Sequence, residues 1–126
     1  MRTYGRVHLA VAAAVATAAL TASTGALAAP STGSAPPTCG GFTATIVGDA
    51  AGNDIHGTAG RDVIVGRGGN DHIEGKGGND VICGNRGADE LEGDRGDDRL
   101  YGGRGYDEAE GGPGDDVCRA EEVEGC

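Results

Sequence analysis

The chain has little with which to build an ordinary hydrophobic core. Its 126 residues include no tryptophan, one phenylalanine and three tyrosines, although large side chains supply most of the apolar area that a core buries. Glycine, with 26 residues, adds the most backbone entropy to the unfolded state. These counts exclude an ordinary globular enzyme domain, so either the chain is disordered or something other than a core orders it.

Long hydrophobic runs are also scarce, and the one at residues 7–20 belongs to the N-terminus. It follows Arg2 and Arg6 and precedes Ala26-Leu27-Ala28, whose small residues suit a cleavage site. We interpret residues 1–28 as a secretory signal peptide. A membrane anchor is the alternative, but a run of about 14 residues is shorter than the roughly 20 that a span needs. The sequence therefore predicts a secreted, extracellular protein without membrane insertion.

Basic side chains are too few to balance the acidic ones. The net charge is −10, and removal of Arg2 and Arg6 with the signal leaves 20 acidic against 8 basic side chains, a net charge of −12. Such a charge argues against nucleic acids and anionic membranes as partners. Residues 29–38, APSTGSAPPT, have nothing to bury and are interpreted as a flexible leader, so the domain is expected to span residues 39–126.

The glycines follow a strict period of nine. Residues 57–119 divide without a gap into seven blocks: GTAGRDVIV, GRGGNDHIE, GKGGNDVIC, GNRGADELE, GDRGDDRLY, GGRGYDEAE and GGPGDDVCR. Glycine fills positions 1 and 4 of every block, and aspartate fills position 6. Position 8 is aliphatic or small throughout, at Ile64, Ile73, Ile82, Leu91, Leu100, Ala109 and Cys118. This period excludes collagen, which needs glycine at every third residue.

The period extends backward less regularly. Ile46 and Ile55 keep the position-8 spacing, whereas Gly52-Asn53-Asp54 is displaced by one residue toward Ile55. In each block, the glycine-rich residues predict a tight turn, and the last three predict a very short strand with only position 8 facing inward. Stacked blocks predict an all-β solenoid with two narrow parallel sheets and a column of aspartates along each row of turns.

The aspartates at position 6 indicate a metal site. Aspartate is common in turns, but neither asparagine nor serine replaces it in any of the seven blocks. Carboxylate and backbone carbonyl oxygens suit calcium, which takes six to eight oxygen ligands. Magnesium dehydrates reluctantly, and zinc or copper would prefer histidine or cysteine. The sequence thus predicts Ca²⁺ as the cofactor, with a domain that is disordered without calcium and folds on binding it.

Two segments, Gly68-Gly69-Asn70-Asp71 and Gly77-Gly78-Asn79-Asp80, carry a family resemblance. The pattern G-G-x-G-x-D-x-(aliphatic)-x resembles the repeats-in-toxin (RTX) or haemolysin-type calcium-binding nonapeptide, over residues 48–119. The resemblance implies a right-handed parallel β-roll with two nonapeptides per coil and a calcium ion between repeats n and n+2.

The resemblance also implies the ligands. Along one row of turns, it pairs Asp62 with Asp80, Asp80 with Asp98, and Asp98 with Asp116. Along the other row, it pairs Asp71 with Asp89 and Asp89 with Asp107, and a sixth site forms if Asp54 pairs with Asp71. Backbone carbonyls of the turns would complete each shell, among them those of Gly66, Gly68, Gly75, Gly77 and Gly84.

The whole chain is similar to small secreted calcium-binding proteins of actinobacteria, because it combines a Sec-type signal with cysteines around the repeats. In RTX proteins proper, the repeats follow a catalytic or pore-forming domain, and export uses a C-terminal signal. This chain departs from the family pattern on both counts. Toxin and protease activities are therefore not implied for it.

The four cysteines, an even number in an exported chain, predict disulfides. Of the three possible pairings, we favour Cys118 with Cys126, which would hold the tail on the last coil, and Cys39 with Cys83. Zinc is disfavoured because no C-x-x-C occurs and because His56 and His72 show no ligand spacing.

Two classes of function remain. The first is a non-enzymatic calcium-binding protein with a structural, adhesive or calcium-sequestering role, whose protein or cell-surface partner the sequence does not identify. The second is a small extracellular hydrolase that uses surface carboxylates on the roll. The mature chain has two histidines and no serine after Ser34, and the repeat leaves no residues for a pocket. We therefore favour the first class and assign no catalytic residue.

Overall fold

The computed structural model describes residues 34–126. The predicted signal peptide, residues 1–28, lies outside the described residues, as do residues 29–33 of the predicted leader. Within the described part, every regular element is a β-strand, and Thr38 already belongs to the first one. No helix in residues 34–126 is long and apolar enough to cross a membrane.

Twelve short strands follow one another along residues 38–124. Those at the ends of the repeats have two or three residues, whereas three strands continue through the following turn and reach six residues. The strands are β1 (Thr38–Cys39), β2 (Phe42–Thr43), β3 (Ile46–Val47), β4 (Asp54–His56), β5 (Val63–Gly68), β6 (His72–Glu74), β7 (Val81–Arg86), β8 (Glu90–Glu92), β9 (Arg99–Arg104), β10 (Glu108–Glu110), β11 (Val117–Arg119) and β12 (Glu122–Glu124).

Ten of the strands form two parallel five-stranded sheets. The odd-numbered strands from β3 onward form sheet 1, in the order β11-β9-β7-β5-β3, and the even-numbered strands from β4 onward form sheet 2, in the order β12-β10-β8-β6-β4. Within the repeats, paired residues are 18 apart, as in Ile64 with Ile82 and Ile73 with Leu91. Each coil therefore contains two nonapeptides, which confirms the all-β parallel β-roll.

The core consists of two rows of position-8 side chains, one from each sheet, packed against each other. Because each three-residue strand turns only its middle side chain inward, every repeat adds one core residue. The seven buried members are Ile55, Ile64, Ile73, Ile82, Leu91, Leu100 and Ala109. The ends of this core are covered by three partly buried residues, Ile46, Cys118 and Ala120. The aliphatic column at position 8 is thus the structural core that its period predicts.

Sheet 1 has a second apolar cluster on its outer face. The antiparallel hairpin β1–β2 lies there, and Cys39 packs with Val63, Val65 and Val81. A disulfide joins Cys39 to Cys83 of β7, with the Cα atoms 5.8 Å apart. The outward valines of sheet 1 are therefore buried by the chain's own N-terminal hairpin.

The C-terminal tail adds a last strand to sheet 2. Strand β12 pairs in parallel with β10, with Ala109 opposite Val123. A disulfide joins Cys118 to Cys126, with the Cα atoms 5.9 Å apart. Both disulfides are those that the sequence favours. The tail therefore continues the solenoid beyond the repeats.

Candidate metal-binding site

The position-6 aspartates line the interior at the boundary between each turn and its strand. Six of them are at most 6% exposed, although aspartate is almost never fully buried without a partner. These are Asp62, Asp71, Asp80, Asp89, Asp98 and Asp107, and Asp116 at the end of its row is half-buried. We call the two stacks of these side chains, 18 residues apart along the chain, the aspartate columns.

Hydrogen bonds connect successive members of each column. Oδ1 of Asp80 accepts the backbone N–H of Asp62 at 2.7 Å, and Oδ1 of Asp98 accepts that of Asp80 at 2.7 Å. The same bond recurs in five pairs: Asp62 with Asp80, Asp80 with Asp98, Asp98 with Asp116, Asp71 with Asp89, and Asp89 with Asp107. The structure thus brings together all five pairs that the family resemblance implies.

The second carboxylate oxygen has no hydrogen-bond partner in most members of the aspartate columns. Among the described residues, six buried Oδ2 atoms make no hydrogen bond: those of Asp71, Asp80, Asp89, Asp98, Asp107 and Asp116. A buried polar atom without a partner costs about 1–3 kcal/mol, and a charged one costs more. Six such atoms in one small solenoid are therefore suited to a positively charged ligand.

The position-1 glycines leave open space beside these oxygens. A Cβ atom placed on Gly75 would lie 2.6 Å from Oδ2 of Asp80 and 2.9 Å from the carbonyl oxygen of Gly93. One coil further on, a Cβ on Gly93 would lie 2.6 Å from Oδ2 of Asp98 and 2.8 Å from the carbonyl oxygen of Gly111. The unpartnered carboxylate oxygen and a backbone carbonyl thus border the same space. Their all-oxygen donor set fits calcium.

The predicted carbonyl ligands divide into two groups. Those at position 1 border the space beside a column, each against the position-1 glycine of the preceding coil: Gly66, Gly75 and Gly84. Gly68 and Gly77 lie instead at position 3, where each N–H donates to a backbone carbonyl of the preceding coil, at 3.2 and 3.3 Å.

The backbone of these turns adopts left-handed conformations. Position 2 has a positive φ in six successive turns, even where the residue is Arg67 (86°), Lys76 (78°), Asn85 (84°) or Asp94 (70°). This φ is uncommon outside glycine and persists only where the surrounding structure holds it. The six turns with a positive φ at position 2 are the same six that contain an unpartnered aspartate oxygen.

The first turn of each row is different, because its own groups satisfy the position-6 side chain. In the turn at residues 57–62, Oδ2 of Asp62 accepts the N–H of Thr58 at 2.6 Å and its hydroxyl at 2.9 Å. In the turn at residues 48–53, Oδ1 of Asn53 accepts the N–H of Asp49 at 2.8 Å. Neither Thr58 nor Asp49 is among the positive-φ residues of the described part.

The structure does not bring Asp54 into a column, so its predicted pairing with Asp71 is wrong. The backbone N–H of Asn53 donates to Oδ1 of Asp71 at 2.8 Å, which places Asn53 at position 6. Asp54 begins β4 with its side chain 73% exposed, 3.3 Å from the ring of His72. Alternation along the strand turns this residue outward. Gly48, at position 1 of the same block, is the sequence signal that places Asn53 in register.

Burial raises the pKa of several column carboxyls. Desolvation raises the pKa of Asp80 and of Asp98 to about 6, and repulsion from neighbouring carboxylates adds to it. The pKa values of Asp71 and Asp89 are also raised, again chiefly by desolvation. The ionised column is therefore unfavourable by itself, and a bound cation would remove the penalty.

A smaller polar cluster lies on the outer face of sheet 2. Nε2 of His72 is 3.2 Å from Oε1 of Glu92, and Glu90 completes a group whose ligand atoms all lie within 4.8 Å of one another. His72 has no ligand spacing in the sequence, because these residues come together only between coils. Its pKa is raised, chiefly by the hydrogen bond to Asp54. Both ring nitrogens of His72 therefore already lie within hydrogen-bonding distance of carboxylates on the same face.

The stacked turns and their carboxylate–carbonyl spaces define a β-solenoid of calcium-binding type. Residues 47–82, 75–109 and 84–118 match the model of the RTX calcium-binding nonapeptide repeat (4 copies). These segments together cover more than half of the chain, which therefore belongs to the RTX calcium-binding nonapeptide repeat family. No curated protein and no solved structure matches the chain.

Proposed function

We propose that the chain is a secreted protein whose β-roll folds on binding several calcium ions between stacked turns. The observation that carries this proposal is the set of six buried aspartate oxygens without a hydrogen-bond partner in the described residues, beside spaces that only glycine leaves open. Bound calcium supplies positive charge and an oxygen-seeking coordination shell. The columns then change from a source of repulsion into the link between successive coils.

The ligands fall into two chemical groups. Carboxylates come from the aspartate columns, with Asp80, Asp89 and Asp98 each shared between two successive sites. Backbone carbonyls come from position 1 of the turns, at Gly66, Gly75 and Gly84, and from the position-3 residues Gly68 and Gly77. Because ligands from different coils must meet, binding selects the folded form, and calcium therefore stabilises the fold by mass action.

Secretion is supported by the N-terminal sequence and by the cysteines. Residues 1–28 have the features of a signal peptide, and disulfides form and persist in oxidising compartments. In this proposal, the chain leaves the cell unfolded and folds in extracellular calcium, where it serves a structural, adhesive or calcium-sequestering role. Intact mass of protein from culture medium tests export: the expected chain begins at residue 29 and gains four hydrogens on reduction, whereas retention of the protein in the cell would contradict it.

The hydrolase alternative gains no support from the acid-lined groove on sheet 2. This groove lies over β8, β10 and β12, and glutamates from positions 7 and 9 line it. A general acid needs a carboxyl whose pKa is raised by burial or by a neighbouring carboxylate, in a site that excludes water. Neighbouring carboxylates, chiefly Glu122, raise the pKa of Glu108, but this side chain is exposed and the other glutamates of the groove are exposed or half-buried. The groove therefore provides no acid shielded from water.

The calcium-folding proposal is tested by far-UV circular dichroism of the oxidised, signal-free protein. We expect a disordered spectrum in excess chelator and a strand spectrum after titration with calcium. Magnesium at the same concentration is the control, and we expect it to be much less effective because it dehydrates reluctantly. A strand spectrum that is already complete in chelator would contradict calcium-dependent folding.

A further inference from the structure

The tail beyond the family match repeats the strand half of a nonapeptide. Residues 121–125, EEVEG, align with residues 107–111, DEAEG. The N–H of Glu122 donates to the carbonyl of Asp107 at 3.1 Å, and that of Gly111 donates to the carbonyl of Glu124 at 2.9 Å. The preceding coil has the same two bonds, at 2.8 and 2.9 Å. The tail thus continues the stack with a register offset of 14 instead of 18 residues.

In this alignment, Glu121 occupies position 6 of the tail. Its Oε2 accepts the backbone N–H of Asp107 at 3.1 Å. One coil earlier, Oδ1 of Asp107 accepts the N–H of Asp89 at 3.0 Å. Glu121 therefore accepts the same hydrogen bond as six of the seven position-6 aspartates. The extra methylene of glutamate lets its carboxylate reach the column from a coil that lacks four turn residues.

Asp107 supplies the independent sign of a ligand at this end. Its side chain is 0% exposed, and its Oδ2 has no hydrogen-bond partner among the described residues. The Cys118–Cys126 disulfide closes the short segment that contains β12 and so holds Glu121 against the column. A buried carboxylate without a partner, beside a second carboxylate fixed by a disulfide, is a suitable divalent-cation site.

We propose that Asp107 and Glu121 hold a further calcium ion at the C-terminal end of their row, outside the RTX-matched residues. This inference rests on the proposed calcium binding and adds a third site to the two between Asp71, Asp89 and Asp107. The shortened coil offers fewer backbone carbonyls, so water completes the shell. We therefore expect this site to be the weakest of its row.

The test counts bound ions by native mass spectrometry and follows each binding step by calorimetry on the oxidised, signal-free protein. E121Q should lose one bound ion and the weakest binding step. E122Q is the matched control, because Glu122 is the neighbouring exposed residue and the change in charge is the same. We expect E122Q to keep every ion. An unchanged count in E121Q would overturn the inference, whereas a wild-type protein that binds no calcium would overturn the proposed function itself.

A local readout covers the case in which E121Q alters folding. The hydroxyl of Tyr106 donates to Oε2 of Glu122 at 3.0 Å, so this phenol lies beside the proposed site. Terbium in place of calcium should show tyrosine-sensitised emission that decreases in Y106F. In E121D, which keeps the charge but removes the extra methylene, the Tyr106-dependent part of the emission should fall. Full Tyr106-dependent emission in both E121D and E121Q would exclude a site at Glu121.

Discussion

The two first turns, one in each row, and the six later turns treat the polar side chain at position 6 in different ways. In the first turns, Thr58 and Asp49 donate hydrogen bonds to the position-6 side chains of Asp62 and Asn53. In the later turns, position 2 takes a positive φ, and the aspartate oxygen keeps no protein partner in the described residues. The difference shows that one nonapeptide framework can satisfy position 6 with its own donors or leave an oxygen for the proposed calcium ion.

The residue type at position 2 accounts for this division at some turns, but not at Arg67, Lys76 or Asp49. Threonine is β-branched and strongly disfavours a left-handed conformation, whereas asparagine, aspartate and glycine tolerate it. Thr58 accordingly keeps an ordinary φ and caps its turn, while Asn85, Asp94 and Gly103 have positive φ values. The self-capped turns also lie next to the hairpin that the Cys39–Cys83 disulfide attaches to β7. The N-terminal end therefore provides a base on which the coils with the proposed calcium sites can stack.

The largest expected effect comes from filling the space beside a column with G75A. The new Cβ would meet Oδ2 of Asp80 and the carbonyl of Gly93, so we expect a loss of about 3 kcal/mol or more and a strongly raised calcium midpoint for folding. The control is G60A in a self-capped turn, where the nearest atom to a Cβ is Thr58 Oγ1 at 3.9 Å. Equal calcium midpoints by circular dichroism for the two variants would contradict the assigned space.

The next effect, from D80N, has opposite signs with and without calcium. Asparagine keeps the acceptor for the N–H of Asp62 but removes a buried charge shared by two proposed sites. We expect two fewer ions by calorimetry, yet more strand by circular dichroism in chelator than the wild-type protein shows, because the buried charge is gone. D97N removes the same charge from an exposed position-5 residue and should change neither quantity. A D80N protein with the full ion count would mean that the aspartate columns do not bind the calcium ions.

A smaller effect on folding stability is expected from lowering the pH in the absence of calcium. The pKa values of Asp80 and Asp98 are about 6 in the folded state, against 3.8 in the unfolded chain, so the folded state binds more protons between these values. Stability therefore falls as pH rises from about 4 through about 6. Circular dichroism in chelator should show more strand at pH 4.5 than at pH 7, with a weaker dependence in D80N/D98N. A pH-independent spectrum would argue against buried ionisable columns.

The smallest effect is expected in the self-capped turns. T58V removes the hydroxyl donor to Asp62 but leaves the N–H donor, so a loss of about 0.5–1.5 kcal/mol is expected. The calcium count should not change. T43V in the exposed part of the hairpin is the control for threonine replacement. A lower ion count in T58V would mean that the hydrogen bonds of Thr58 are needed for the proposed site between Asp62 and Asp80, which would remove the distinction between the two kinds of turn.

Much of the fold could be predicted because its information is periodic. The nine-residue spacing fixes which residue of each strand faces inward, and the invariant aspartate marks the columns. Asn53 and Glu121 could not be assigned in this way. Asn53 has an amide in place of the carboxylate, and Glu121 belongs to a coil that is four residues shorter. Neither residue therefore follows the aspartate pattern.

The sequence alone determined the repeat unit, the line of core residues and the acidic character of the turns, because each depends on residues within one or two neighbouring blocks. Only the tertiary structure decided which side chains meet between coils. It placed the N-terminal hairpin over the valines of sheet 1, turned Asp54 outward and set Glu121 beneath Asp107. These contacts depend on how the chain closes at the two ends of the solenoid, where the period stops and no longer fixes the register.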